Sequence, residues 1–317
     1  MRYRTVCLLG TASVLILASM ASVCYAEGVA GLLDELSQDR YTEHLRNQLY
    51  TQFGNNRYAP DKGPEHDPAR DYIASQFSSY GLETYLDEFT WTRRNPPFQG
   101  TLSGVNVVAK LKGKRYPDQM YILGAHYDSA ATPGADDNAS GVAGLLEAAR
   151  VLAGHQFEYT ILFIAFDFEE IGCSGASSYA QRHLDDKILG MVEMDMIAYS
   201  DGRNRAEIWT ATPDPNPVST ALADATARYA SDLTVRIGGN EGASDHGPFA
   251  AAGFNSAMLS EATPYSPYYH RRFDSVTDFN GNDIVMPDGT PYLDYAYATK
   301  MLRGVMGWAA EAAVLAQ

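Results

Sequence analysis

Residues 159–172 read YTILFIAFDFEEIG. Tyr159 to Phe166 are almost continuously apolar, the pattern of a strand covered on both faces. The run then breaks into Asp167, Glu169 and Glu170. A buried strand of this kind belongs to a sheet with helices on both sides, and ligand sites in such sheets lie beyond the carboxyl ends of the strands.

Outward from that strand, further strands are expected at 83–91, 104–111, 120–126, 188–195, 206–211, 233–238 and 255–260. Helices are expected at 29–53, 140–153, 217–230, 245–252 and 292–316. One more is expected from the Asp67-Pro68 cap to about Tyr80, where Gly81 stops it. Along 140–153, Val142, Leu145, Leu146, Ala149 and Leu152 form one apolar stripe. The alternation predicts a three-layer α/β/α fold around a central mixed, mostly parallel sheet. It forms a single domain over 27–317 with a helical N-terminal extension over about 27–80.

The whole chain has 317 residues, 45% hydrophobic and 20% charged, which is a globular balance. Its net charge of -15 argues against a nucleic-acid partner, since phosphate backbones recruit basic faces. Arg2 and Arg4, the apolar stretch Val6 to Val23 and the ending Cys24-Tyr25-Ala26 read as an export signal cleaved after Ala26. A retained anchor and a lipid-modified Cys24 are the alternatives. The expected protein is secreted or periplasmic, with no stable membrane insertion after cleavage, and monomeric. Of the three cysteines, Cys7 and Cys24 leave with the signal, so Cys173 remains with no internal partner.

Other strand ends also finish in metal-binding side chains. Gly124-Ala125 leads to His126 and Asp128, Met194 leads to Asp195, and the late segment Tyr268-Tyr269 ends in His270. Between the first two strands lies Gly134-Ala135-Asp136-Asp137-Asn138-Ala139-Ser140-Gly141. Carboxylates gathered at one sheet edge repel one another and call for a cation. Imidazole mixed with carboxylate suits zinc or a related transition metal rather than calcium.

AHYDS at 125–129, PGADDNASG at 133–141, FEEIG at 168–172, MDM at 194–196, SDHGPF at 244–249 and YYH at 268–270 together resemble the secreted bacterial leucine-aminopeptidase family of di-zinc metallopeptidases, to which glutaminyl cyclases are distantly related. The resemblance implies two zinc ions bridged by Asp136, with His126 and Asp195 completing one site and Glu170 and His270 the other. It implies Glu169 as general base, Asp128 as the group orienting His126, and a cis bond between Asp136 and Asp137. The implied substrate is a peptide with a free N-terminus; a metallocarboxypeptidase, with Arg271 and Arg272 as a carboxylate clamp, and a glutaminyl cyclase are the alternatives.

The remaining candidates read more plainly. His44, His66, His155 and His183 lack a motif and are expected at the surface, and His246 is as well explained by structure as by catalysis. Asp137 and Asn138 read as loop formers, Cys173 as a packing group, and Asp167 as either a salt bridge or a support for the site. Met196, Phe249, Phe254 and Tyr265 are candidates for a substrate pocket. Some family members carry a carbonyl-polarising tyrosine just before SDH. Here that stretch is Gly239-Asn240-Glu241-Gly242-Ala243, so the role falls to Tyr265, Tyr268 or Tyr269, or to no residue. No GxSxG, GxGxxG or P-loop is present, which removes the serine-hydrolase and nucleotide-binding readings.

Overall fold

In chain order the strands are β1 (Glu83–Arg93), β2 (Gly100–Leu111), β3 (Tyr116–His126), β4 (Tyr159–Phe166), β5 (Lys187–Met194), β6 (Arg205–Thr210), β7 (Thr234–Gly239) and β8 (Ser256–Glu261). The helices are α1 (Gln38–Thr42), which widens into a π-helical stretch over Glu43–Tyr50, then α2 (His66–Ser79), α3 (Gly141–Ala153), α4 (Ser174–Arg182), α5 (Pro217–Tyr229), α6 (His246–Ala251) and α7 (Tyr295–Ala312). These come from a computed structural model that describes residues 28–50, 57–59, 65–93, 100–239 and 242–316. The segment read as an export signal lies outside the described residues. Among those residues no helix is long and apolar enough to cross a membrane.

All eight strands join one mixed sheet in the order β1-β2-β4-β3-β5-β8-β6-β7. Its centre, β4-β3-β5-β8, is parallel throughout, while β2 and β6 run antiparallel to the central strands beside them. Because the central four share a direction, their carboxyl ends open on one edge, and His126 pairs with Phe166 at the last rung between β3 and β4. As the apolar run predicts, seven of the eight residues of β4 are buried.

One face of the sheet carries the larger core. Leu145, Leu146 and Leu152 of α3, Leu222 of α5 and Met301, Leu302 and Trp308 of α7 pack there, together with Val29, Leu33, Tyr41 and Leu45 from the chain's beginning. On the other face Ile122, Ile164 and Phe166 meet Tyr179 of α4 and Phe249 of α6. Helix α4 presses closely on the end of β4. A Cβ on Gly175 would lie 2.3 Å from both the Asp167 carbonyl and Asn106 Oδ1, so this first turn admits only glycine without displacement. Helix α4 was absent from the sequence expectations, because its polar SGASSYAQR register carries no clear apolar stripe.

Candidate metal centre

Each central strand stops where its chain must turn, and several of those turns are left-handed at non-glycine residues. Phe168 (φ 62), Cys173 (φ 51), Met196 (φ 56) and His270 (φ 54) all flank the carboxyl edge of the sheet. Such conformations cost energy and concentrate where geometry serves a site.

Two groups of donors assemble there. His126, Asp137 and Asp195 offer atoms within 4.8 Å of one another, as do Asp137, Glu170 and His270. Asp137 is common to both. Its Oδ1 lies 3.2 Å from His126 Nε2, and its Oδ2 lies 3.1 Å from His270 Nε2. Asp195 Oδ1 is 3.4 Å from His126 Nε2, and Glu170 Oε2 is 3.0 Å from His270 Nε2.

Asp137, and not Asp136 as expected, is thus the residue that stands between the two donor groups. Asp136 points away into the protein, where its Oδ1 accepts from the Ala198 N–H at 2.8 Å, and it belongs to neither donor group. Asp274 holds the turn in this register by accepting from the N–H groups of Asp136 and Asp137 at 2.7 and 3.1 Å. The cis peptide bond shows the same one-residue offset and lies between Asp137 and Asn138. Asn138 ties the turn to the end of β5, donating to the Met194 carbonyl and accepting from the Met196 N–H.

Glu169 reaches the same space, in a group with His126 and Glu170. Asp128 sets the pair of glutamates. Its Oδ1 accepts from the Glu169 N–H at 3.1 Å and its Oδ2 lies 3.3 Å from the Glu170 N–H. The Asp128 carbonyl and Oδ1 also face His126 Nδ1, at 3.2 and 3.4 Å. One buried carboxylate thus fixes both an imidazole and the glutamate turn.

The electrostatics of the bare side chains are those of a cation site. Burial pushes the Glu169 carboxyl well above its ordinary range. Burial, then the Asp137 charge, raises Glu170 to about 8. Burial also works to raise Asp137, but the facing rings of His126 and His270 outweigh it and hold that carboxyl low. Hydrogen bonds to Asp137 and Glu170 raise His270 to about 10. His126 Nε2, Glu170 Oε1 and Asp195 Oδ1 are buried without a hydrogen-bond partner. Orphaned buried donors and acceptors of this kind are what a metal ion satisfies, and the mixed imidazole and carboxylate set fits zinc.

Behind the donors lie supporting residues, among them Glu193 and Arg57, neither of which is a candidate in the sequence. Glu193, inside β5, accepts from the N–H groups of Asp245 and His246 and lies 2.6 Å from Ser244 Oγ, which is 2.9 Å from Asp195 Oδ2. His246 faces Glu193 and is fully buried, so its place is structural support behind Asp195. Arg57 is 1% exposed and sends its guanidinium to the carbonyls of Tyr127, Pro133 and Gly134, bracing the segment between Asp128 and Asp137. The only prior signal for Glu193 was its two-residue spacing from Asp195 along one strand.

A cavity of about 130 Å³ opens beside the donors and is lined by Met196, Met258, Ser260, Tyr265 and Tyr269 among others. Met196 and Tyr265 are thus where a substrate pocket was expected. Phe249 and Phe254 are not, since both pack in the core beneath α6. Tyr268 also turns inward, edge-on to Tyr292 with ring centroids 4.9 Å apart. Arg271 and Arg272 are exposed and neither lines the cavity. His44 and His66, expected at the surface, are both buried. Cys173 is buried, with Sγ 3.6 Å from Glu169 Oε1.

Residues 106–285, more than half of the chain, match Peptidase family M28. Aminopeptidase YwaD of Bacillus subtilis is 37% identical over 181 residues, covering 53% of this chain and 38% of that protein. A probable zinc metalloprotease of Pyrenophora teres f. teres is 31% identical over 223 residues, covering 63% and 46%. The chain thus spans less than half the length of these two curated relatives. Among solved structures, the aminopeptidase from Aneurinibacillus sp. strain AM-1 superposes with a TM-score of 0.74 at 19% identity, covering 91% of this chain and 97% of that one. Porphyromonas gingivalis glutaminyl cyclase shares the fold with a TM-score of 0.71 at 18% identity, covering 87% and 99%.

Proposed function

The chain belongs to peptidase family M28, and on that premise we propose that it is a zinc-dependent aminopeptidase acting on peptides with a free N-terminus. One observation carries the reading: the two carboxylate oxygens of Asp137 face two separate donor sets, His126 with Asp195 and Glu170 with His270. These residues would hold two zinc ions, with Asp137 rather than Asp136 shared between the two donor sets. When bound, the pair would polarise the scissile carbonyl and acidify a water molecule.

The chain's own groups account for the rest. Glu169 is the general base: it removes the proton of the attacking water and delivers it to the leaving amine. Its carboxyl takes up a proton readily, because burial raises it, and that favours the first transfer. Asp128 fixes the backbone of Glu169 and the ring of His126 together. Asp195, Glu170 and Glu169 give the pocket a negative wall that attracts a terminal ammonium. Met196 and Met258 supply an apolar wall for the first side chain, and Tyr265 and Tyr269 are the tyrosines positioned to donate to the substrate carbonyl. Residues 1–26 are read as a cleaved signal that delivers a monomeric enzyme outside the cytoplasm.

A substrate panel tests this. Aminoacyl chromogenic substrates, amino-blocked peptides and peptides beginning with Gln are each offered with and without a chelator. Cleavage of free-amine substrates that disappears on chelation is expected. Turnover restricted to blocked peptides would make the enzyme a carboxypeptidase, and cyclisation of terminal Gln without hydrolysis would make it a cyclase.

A further inference from the structure

The glutamate turn rests on a second buried carboxylate that the mechanism above does not use. Asp167, the first residue after β4, is fully buried. Its Oδ2 accepts from the Val105 N–H at 2.9 Å and its Oδ1 from the Phe168 N–H at 2.9 Å. Its own N–H donates to Asn106 and its carbonyl accepts from Gly175. Every polar group of Asp167 is therefore spent on holding the chain as it leaves β4 and enters the left-handed Phe168. The next two residues are Glu169 and Glu170.

A buried carboxylate in this position needs a compensating charge. The first residue of α2 provides one. His66 is 1% exposed and places Nε2 2.8 Å from Asp167 Oδ1, with Nδ1 3.0 Å from Asp67 Oδ1. Both ring nitrogens thus meet carboxylate oxygens, an arrangement in which only an imidazolium donates on both sides. Tyr127, between His126 and Asp128, packs against the ring with centroids 5.1 Å apart.

We infer that His66 is a positioning residue for the reaction: through Asp167 it fixes the turn that aims Glu169 at the water and Glu170 at the metal. The inference rests on the peptidase reading for the role of Glu169, but the contact itself does not. The Asp128 carboxylate holds the N–H groups of the turn from one side, and the His66–Asp167 pair holds its root from the other. A turn gripped on one side only keeps its fold while losing the sub-ångström aim on which proton transfer depends.

The test uses His66→Gln, Asp167→Asn and the double variant in the full enzyme, with Asp67→Asn as a control at an exposed partner. His66→Gln is expected to lower kcat per bound zinc at least 10-fold with KM within twofold. Asp167→Asn should do the same, and the double variant should be no worse than the weaker single, because the two residues act as one unit. Asp67→Asn should stay within twofold of wild type. Independently of activity, amide hydrogen exchange over 168–172 should quicken at least 10-fold in His66→Gln while the body of α2 stays protected. A lowered Tm with unchanged kcat and unchanged exchange in that segment would reduce His66 to a packing group and overturn the proposal, as would additive losses in the double variant. If the wild type turns over no peptide, the peptidase reading fails, and the exchange measurement still decides the role of His66. If one single variant does not fold, the other carries the same comparison.

Discussion

Glu169 and Glu170 are consecutive in the chain yet face different partners: Glu170 meets His270, while Glu169 stands over His126 without a hydrogen-bonded cation of its own. In the proposed mechanism this difference leaves the proton to Glu169. Glu169→Gln is expected to retain its zinc and lose at least ~100-fold in kcat, the scale of general-base removal. Turnover near wild type with full zinc content would dismiss Glu169 as the base. The type of chemistry was legible here because His, Asp and Glu at the ends of several strands have few other reasons to converge. The choice between Asp136 and Asp137 was not legible. Two identical side chains stand side by side, and part of the selection is remote: Asp274, 137 residues along the chain from Asp137, takes the N–H groups of the turn, while the adjacent Asn138 ties it to the end of β5. His66 was misread for the same reason, since its partner Asp167 lies 101 residues away in sequence.

Among the elements, the central strands and the helices α3, α5 and α7 fall within a few residues of expectation, because apolar periodicity marks them directly. The helical region expected over 29–53 is broken instead into helical 28–33, α1 and the π-helical stretch. Its attachment to α2 depends on a neutral histidine. Tyr72 Oη lies 2.7 Å from His44 Nδ1, and His44 Nε2 lies 3.2 Å from Tyr80 Oη, whose hydroxyl donates onward to Gln76. Both hydroxyls are neutral partners, which hold the ring without offsetting the cost of burying a charge on it. Burial first, then Arg40 and Arg150, lowers His44 from 6.5 to about 4. The folded state resists protonation more than the unfolded chain does, so the contribution is complete above pH 6.5 and fades as pH falls towards 4. Between pH 7 and 5 the loss is about 2 kcal/mol, or roughly 3 °C in Tm for a chain of this size. His44→Gln should flatten the Tm profile over that interval by this amount; parallel profiles for the two proteins would exclude His44 as the source.

For the whole molecule, the sheet collects the cost of its function at one edge. Asp128, Asp137, Glu170 and Asp195 enter that edge from four separate chain segments, braced by Arg57, Asp274, Glu193 and His246. Like charges so placed oppose folding until a cation arrives, so zinc binding and global stability are one equilibrium. Zinc at about 1,000 times its dissociation constant adds about 4 kcal/mol, which corresponds to a Tm rise of roughly 6 °C. The rise must also depend on pH. Without metal, Glu170 titrates at about 8, so zinc displaces a proton there at neutral pH, and its affinity drops as the solution becomes more acidic. Calorimetry with and without a chelator should therefore show a larger zinc-dependent shift at pH 8 than at pH 6, with protons released on binding. A shift that is absent, or equal at the two pH values, would mean that the clustered acids are neutralised by some other means than metal.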